Sequence, residues 1–307
     1  MNLRVAYLRI MAYMPLPLSH LLGKTLGLAL AILPTPMRQI AKINLAHCFP
    51  ELDEANRRRL CQRSLMHFGC VVTESARIWL RDRRTVLGMV REVVGGEHIE
   101  RAIAEGKGIV FCSPHLGCWE ITSIYVAAKF PIRLTAMYRP QNGEVDQLIL
   151  AGRQHLGARL VPADQNGVKV LLGALRRGEA VGILPDQDAR YGGVFVNFFG
   201  IPANTPALPA RLAAKTKAPV IIAVGERLPW GRGFRLHLRP ASARIADPDP
   251  VVGTQALNDE IERWVREFPE QYWWSYRRFR RRPPGMARIY PAKRRATQPA
   301  SSMKAGG

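Results

Sequence analysis

The chain has 307 residues, of which 47% are hydrophobic and 22% charged, and a formal net charge of +21. That balance excludes a wholly disordered chain, and the length suits one large α/β domain or two modest ones. The charge predicts an anionic partner, whether nucleic acid, an anionic membrane surface, or an acidic carrier or substrate.

The N-terminal stretch, residues 1–40, is mostly apolar and lacks the small-residue cleavage site of a signal peptide. Pro15, Pro17, His20 and Lys24 interrupt it, so it falls short of the roughly 18 uninterrupted apolar residues of a spanning helix. It reads as a membrane-inserted or interfacial helical segment, with a full span or a buried helical hairpin as the alternatives. Asp53 is a candidate N-cap for a long helix whose buried face runs through Leu60, Cys61, Leu65, Phe68, Val72, Ala76 and Trp79. A basic connector leads to a short helix over 97–105.

From Gly108 onward apolar runs alternate with helical patterns. The spacing predicts strands over 109–112, 133–138, 158–161, 180–184 and 219–224, and a further edge strand over 234–238. Helices are predicted over 143–155, 168–177, 206–217 and 254–268. Strands separated by helices of this length imply an α/β fold with a mostly parallel central sheet flanked by helices. The expected domain is 41–284. After Glu270 the sequence contains no acidic residue. The aromatic and arginine-rich start of that stretch suits a membrane interface, and 285–307 reads as a basic, disordered tail. The five cysteines, Cys48, Cys61, Cys70, Cys112 and Cys118, have no zinc-ribbon spacing and read as reduced, packed thiols.

Three polar clusters follow three of these strands. His115 stands in a Ser-Pro turn after the first, five residues before Glu120. An imidazole can take a proton from a hydroxyl, and a carboxylate on its other nitrogen fixes the tautomer, so His115 and Glu120 form a candidate general-base dyad. Arg139 follows the next strand and Arg153 lies on the helix after it; both are candidates for gripping a phosphate or carboxylate. Asp186 and Asp188 follow another strand, without a third metal-like ligand, so support for a nearby arginine or histidine is favoured over metal. The apolar stretch through Phe195, Phe198 and Phe199 reads as the lining of a substrate pocket or as one more buried strand. In an open α/β sheet all three clusters would meet at one edge. No Gly-x-Ser-x-Gly elbow, Walker loop or Gly-x-Gly-x-x-Gly occurs.

HLGCWE (115–120), then YRP (138–140), LPDQDARYGGVFVNFFGIPANTP (184–206) and APVIIAV (218–224), resemble the bacterial lipid A biosynthesis acyltransferases, which add secondary acyl chains. These belong to the wider lysophospholipid and glycerolipid acyltransferase superfamily with its His-x4-Asp/Glu motif. The resemblance covers about Met1 to Pro284. It implies that His115 is the catalytic histidine, Glu120 its acidic partner, and Arg153 and Asp186 further catalytic residues. It also implies transfer of a fatty acyl chain from acyl carrier protein to a hydroxyl of a lipid A precursor, at the cytoplasmic face of the bacterial inner membrane, with no cofactor. The basic charge then suits acyl carrier protein, a phosphorylated lipid and an anionic membrane, rather than nucleic acid. Another acceptor, such as a lysophospholipid, an ornithine lipid or a glycolipid, is the nearest alternative. A thioesterase, or a non-enzymatic protein that binds anionic membrane or nucleic acid, is more remote.

Overall fold

β-Branched and apolar residues concentrate in short runs, and these runs become the strands of one seven-stranded sheet. The structure, a computed structural model, describes residues 3–140, 143–155 and 157–291. Helices α1 (Leu3–Tyr13), α2 (Leu16–Ile32) and α3 (Pro36–Cys48) come first, then the long α4 (Glu54–Leu80) and the short α5 (Arg83–Leu87). Next come β1 (Val90–Val94), α6 (Gly96–Ala104), β2 (Ile109–Cys112), α7 (Trp119–Lys129), β3 (Leu134–Tyr138), α8 (Glu144–His155), β4 (Arg159–Pro162), α9 (Gln165–Arg176) and β5 (Ala180–Ile183). A hairpin, β6 (Gly193–Phe198) and β7 (Ile201–Pro206), precedes α10 (Leu208–Thr216), β8 (Val220–Arg227), β9 (Phe234–Pro240) and α11 (Pro250–Glu267).

The strand order is β1-β9-β8-β2-β5-β3-β4, parallel throughout except for the β8–β9 pair. Both β2 and β5 are buried along their whole length, which is why they read as unbroken apolar runs. One expectation fails here. β9 is an interior strand, covered by β1, and β1 was hidden in the basic connector. As an edge strand β1 exposes Arg91 and Glu92, so its sequence lacks the apolar signature of the strands inside.

Asp53 caps α4 as expected, accepting from the Asn56 amide at 2.7 Å. α1, α2 and α3 pack along α4. α2 and α4 approach closely because Gly23 and Gly27 face the α4 backbone near Gly69: a Cβ on Gly27 would collide with the Leu65 carbonyl oxygen. Among the described residues no single helix is long and apolar enough to cross a membrane. Only α2 and α3 together reach that composition, and they are bent by 79°.

The aromatic segment after Glu270 turns inward instead of lying at a surface. Trp274 and Phe279 are buried, and the buried Arg278 donates to the Asn204 carbonyl oxygen at 2.9 Å and to Thr205 Oγ1 at 2.6 Å. Within the stretch expected to be a tail, Tyr290 is buried and donates its hydroxyl to Asn44 Oδ1 at 2.5 Å. Residues 292–307 lie outside the described residues.

A buried ion pair ties the N-terminal helices to the sheet. Arg227, at the end of β8, donates from Nε and Nη2 to the two Glu74 carboxylate oxygens of α4 at 2.8 and 2.5 Å. His20 of α2 joins the same carboxylate at 2.8 Å, and Arg227 Nη1 donates to His67 Nδ1 at 3.1 Å. Removing one member of such a pair strands a buried charge. Glu74→Ala is therefore expected to lose about 3–5 kcal/mol of stability in denaturant unfolding.

Burial and the Arg227 guanidinium push the His67 imidazole down from 6.5 to about 3. The folded chain then binds fewer protons than the unfolded one between those values. Stability is full above pH 6.5 and falls as the pH drops through that window. The buried carboxylates add to this loss only below their ordinary values near 4.5. The unfolding midpoint is thus expected to fall between pH 6.5 and 5, and a His67→Asn variant to show a flatter profile there.

Candidate active site

The loop after β2 is fixed by its backbone before any side chain is considered. The Ser113 amide donates to the Ile183 carbonyl oxygen, Gly117 to Gln271 and Cys118 to Gly225, while the Trp273 amide donates back to His115 O, all within 3.1 Å. Gly117 has φ of +61° and lies against the Gly225 carbonyl oxygen, where a Cβ would collide, so only glycine fits. This holds His115 at the C-terminal edge of the sheet, where β2 and β5 lie side by side.

The neighbour strand supplies the partner of His115, and it is Asp186. His115 Nδ1 is 2.8 Å from Asp186 Oδ1, and the His115 backbone amide donates to Oδ2 at 2.9 Å. One carboxylate therefore holds both the ring and the backbone of the same residue. Asp186 is 2% exposed. Burial alone would raise its carboxyl, but the His115 contacts outweigh that and hold it below the usual aspartate range. An ionised Asp186 accepts from Nδ1–H, which leaves the lone pair on Nε2, the tautomer required of a base. The indoles of Trp119 and Trp273 stack parallel to each other 5.7 Å apart and flank the imidazole at 5.0 and 5.4 Å.

Glu120 does not orient His115, contrary to the dyad read from the spacing. It lies on the first turn of α7 and points to α8 and α4. Arg153 forks onto it from Nε and Nη2 at 2.9 and 2.5 Å, and Trp79 Nε1 donates to it at 3.0 Å. Burial would raise the Glu120 carboxyl, and the Arg153 charge, with these hydrogen bonds, pulls it below its ordinary value instead. Glu120 and Arg153 are thus an ion pair beside His115, its carboxylate buried and its guanidinium half-buried. Arg139, after β3, is exposed. Asp188 points away from the histidine: it accepts from Asn204 Nδ2 at 3.0 Å and faces Arg281 Nε at 3.5 Å, while its amide donates to the Tyr276 hydroxyl. It anchors the C-terminal segment to the hairpin.

Phe198 and Phe199 are core residues, and Phe195 lines a separate surface cavity between β6 and α11. Phe198 and Phe199 pack against each other at 4.9 Å, and Phe199 against Phe49 and Trp274 at 5.1 and 5.8 Å. Phe199 and Gly200 both take positive φ, which makes the tight turn of the hairpin and sends the stretch into the core as paired strands. Phe195 is on the partly exposed side of β6. The apolar cavity lies elsewhere, between α7 and the sheet. Ser113, Trp119, Glu120, Tyr138 and Arg153 stand at its polar end, and Phe111, Val126, Leu134, Ala136, Leu160 and Gly182 line the rest. Residues missed in the sequence are Trp79, Trp119, Trp273 and Gln187, whose side-chain nitrogen is 3.1 Å from His115 Nε2. Among the described residues no group of His, Cys, Asp and Glu could hold a metal ion, and burial pushes the thiols flanking His115, Cys112 and Cys118, well up and away from thiolate chemistry.

A histidine held by a buried carboxylate lies beside an apolar cavity at the edge of a mostly parallel sheet. The family model of the bacterial lipid A biosynthesis acyltransferases matches residues 1–281, and the chain belongs to that family. It is similar to a lipid A biosynthesis acyltransferase of Haemophilus influenzae, 33% identical over 92% of this chain and 88% of the relative. It is 31% identical to the lipid A biosynthesis lauroyltransferase of Escherichia coli, over 94% of each chain. The palmitoleoyltransferase of the same organism is 26% identical over 90% of each.

If Asp186 sets the tautomer of His115, Asp186→Asn lowers acyl-transfer turnover on the order of 10²–10⁴-fold in folded protein. Asp188→Asn leaves turnover near that of the wild type. Steady-state rates of the two variants, with circular dichroism as the folding control, check both.

Proposed function

We propose that the chain moves a fatty acyl group from the thioester of acyl carrier protein to a hydroxyl of a lipid A precursor, at the cytoplasmic face of the bacterial inner membrane. The observation that carries this reading is the His115–Asp186 contact beside the cavity under α7. The acceptor hydroxyl gives its proton to His115 Nε2 as its oxygen bonds to the thioester carbonyl carbon. The tetrahedral intermediate collapses with cleavage of the carbon–sulfur bond, and the imidazolium returns the proton to the leaving thiolate. Glu120 and Arg153 hold the polar mouth of the cavity, and the acyl chain runs between α7 and the sheet. The relatives' names, a lauroyl- and a palmitoleoyltransferase of lipid A, support this acceptor. The net charge of +21 supports the acidic carrier and the phosphorylated lipid.

The test is an assay of purified protein with a set of acyl-carrier-protein donors and a lipid A precursor bearing free hydroxyls on its acyl chains. Transfer that requires both substrates is expected, together with loss of one secondary acyl chain from the lipid A of a deletion strain. Thioester hydrolysis without acceptor dependence, or unchanged lipid A in the deletion strain, contradicts the reading.

The cavity sets a second expectation. Gly182 and Ala136 are register partners on β5 and β3 and share one wall of it, where a Cβ on Gly182 would lie 3.4 Å from that of Ala136. Ala136→Leu adds side-chain volume on that wall and is expected to shift preference toward a shorter acyl donor, read as the ratio of kcat/KM for two chain lengths.

Attachment to the membrane is supported by the outward face of the N-terminal helices. Ile10, Tyr13, Leu18, Leu21, Ile32 and Leu33 are exposed, beside Trp230, which is 83% exposed. Gly231 packs against Pro17 and fixes the Trp230 turn to the start of α2. Arg9 and Arg232 are exposed next to these apolar residues, as suits anionic headgroups. A Leu18→Ser, Leu21→Ser, Trp230→Ser variant is expected to lose most of its sedimentation with anionic vesicles while keeping activity on detergent-dispersed substrate. Unchanged sedimentation contradicts this face as the attachment.

A further inference from the structure

We propose that Gln187 is a catalytic residue that acts in turn on both reacting groups. Its side-chain amide holds the lone pair of His115 Nε2 in the resting enzyme, and, once the acceptor hydroxyl takes that place, donates to the thioester carbonyl oxygen as negative charge develops on it. The proposal rests on the acyl-transfer reading.

The geometry assigns the donor. With Nδ1–H given to Asp186 Oδ1 at 2.8 Å, Nε2 is the accepting nitrogen of the ring. The Gln187 Nε2 at 3.1 Å is therefore an N–H aimed at the atom that must take the acceptor proton. The acceptor hydroxyl has to displace it, and the displaced amide is left one hydrogen-bond length from the reacting atoms. The backbone on both sides of Gln187 is pinned, Asp186 by His115 and Asp188 by Asn204 and Tyr276. The amide itself has one hydrogen bond, to the imidazole, among the described residues.

The backbone amides of the turn that carries His115 are committed. The backbone amides of His115, Leu116, Gly117 and Cys118 donate to Asp186 Oδ2, Pro114 O, Gln271 O and Gly225 O respectively, at 2.7–3.0 Å. Arg153, the oxyanion candidate suggested by the sequence, spends Nε and Nη2 on Glu120. An oxyanion formed beside Nε2 needs a preorganised N–H, and Gln187 holds one in contact with that nitrogen. In the reaction the hydroxyl proton moves to Nε2, the carbonyl π pair moves onto oxygen as the carbon–oxygen bond forms, and that oxygen accepts from Gln187. On collapse the pair returns, the carbon–sulfur bond breaks, and the amide goes back to the neutral imidazole.

The test uses the full chain and the variants Gln187→Met, Gln187→Ala and Gln187→Glu. Met keeps the length of the side chain and removes the donor, and the position is half-exposed, so at least one of the three reports on folded protein. Loss of the donor is expected to lower kcat on the order of 10²-fold, with KM for the acceptor unchanged or lower because the hydroxyl no longer competes with an amide. In Gln187→Glu the carboxylate accepts from a protonated Nε2 and favours the imidazolium, so the acid limb of the rate profile and the NMR titration of the His115 ring both move up by about one pH unit or more. A kcat within a few-fold of the wild type in the Met and Ala variants, or an unmoved His115 titration in the Glu variant, overturns the assignment. The titration needs no substrate. If the wild type transfers no acyl group to any acceptor, the acyl-transfer reading fails, while a shifted titration still places Gln187 on the base.

Discussion

The site depends on one carboxylate that makes two hydrogen bonds to the same residue. Asp186 accepts from the backbone amide of His115 and from its ring, and this is possible because β5 lies directly beside β2 in parallel register. The two strand ends then stand side by side at one edge. A ring fixed at one nitrogen by a buried charge has one orientation and one tautomer. The stacked Trp119 and Trp273 remove the remaining freedom, and the cavity under α7 begins at Ser113 and Trp119, the neighbours of the base in the chain and in space.

A second layer of charge lies beneath. The Glu74–Arg227 pair, with His20 and His67, joins α2, α4 and the end of β8, and Arg227 also donates to the Gly117 carbonyl oxygen at 3.3 Å. The Gln271 side chain bonds both the amide and the carbonyl of Arg227. The loop that carries His115 therefore rests on a buried ionic cluster, and the N-terminal helices are part of the same frame as the sheet edge that bears His115. The Glu120–Arg153 pair plays a similar role from the other side, closing α7 against α8 and α4. Charges that look catalytic in sequence here divide into one that holds the His115 ring and two that hold the elements around it.

The sequence made much of this legible, and its errors have physical causes. Buried parallel strands are unbroken apolar runs, so β2, β3, β5 and β8 and the clusters after them could be found without coordinates. The pairing of carboxylates could not. Glu120 is five residues from His115 and looks adjacent, but the first turn of α7 sends it away toward Trp79 and Arg153. Asp186 is 71 residues distant and is brought close only because β5 is inserted between β2 and β3. β1 escaped notice because an exposed edge strand carries charges. The hairpin through Phe195 to Phe199 showed glycine and aromatics together, a composition shared by pocket loops and tight turns, and only the paired register decides between them. The segment after Glu270 has interfacial composition, yet Arg278 is satisfied by carbonyl and hydroxyl oxygens inside the core.

The central claim is that Asp186, and not Glu120, sets the protonated nitrogen of His115. Nitrogen-15 NMR of the protein with labelled histidine reads this directly, since the two ring nitrogens of each tautomer differ in shift. The account predicts that neutral His115 carries its proton on Nδ1, that Glu120→Gln leaves this tautomer in place, and that Asp186→Asn abolishes the preference. A wild-type proton on Nε2, or a tautomer that changes with Glu120→Gln and not with Asp186→Asn, would contradict it.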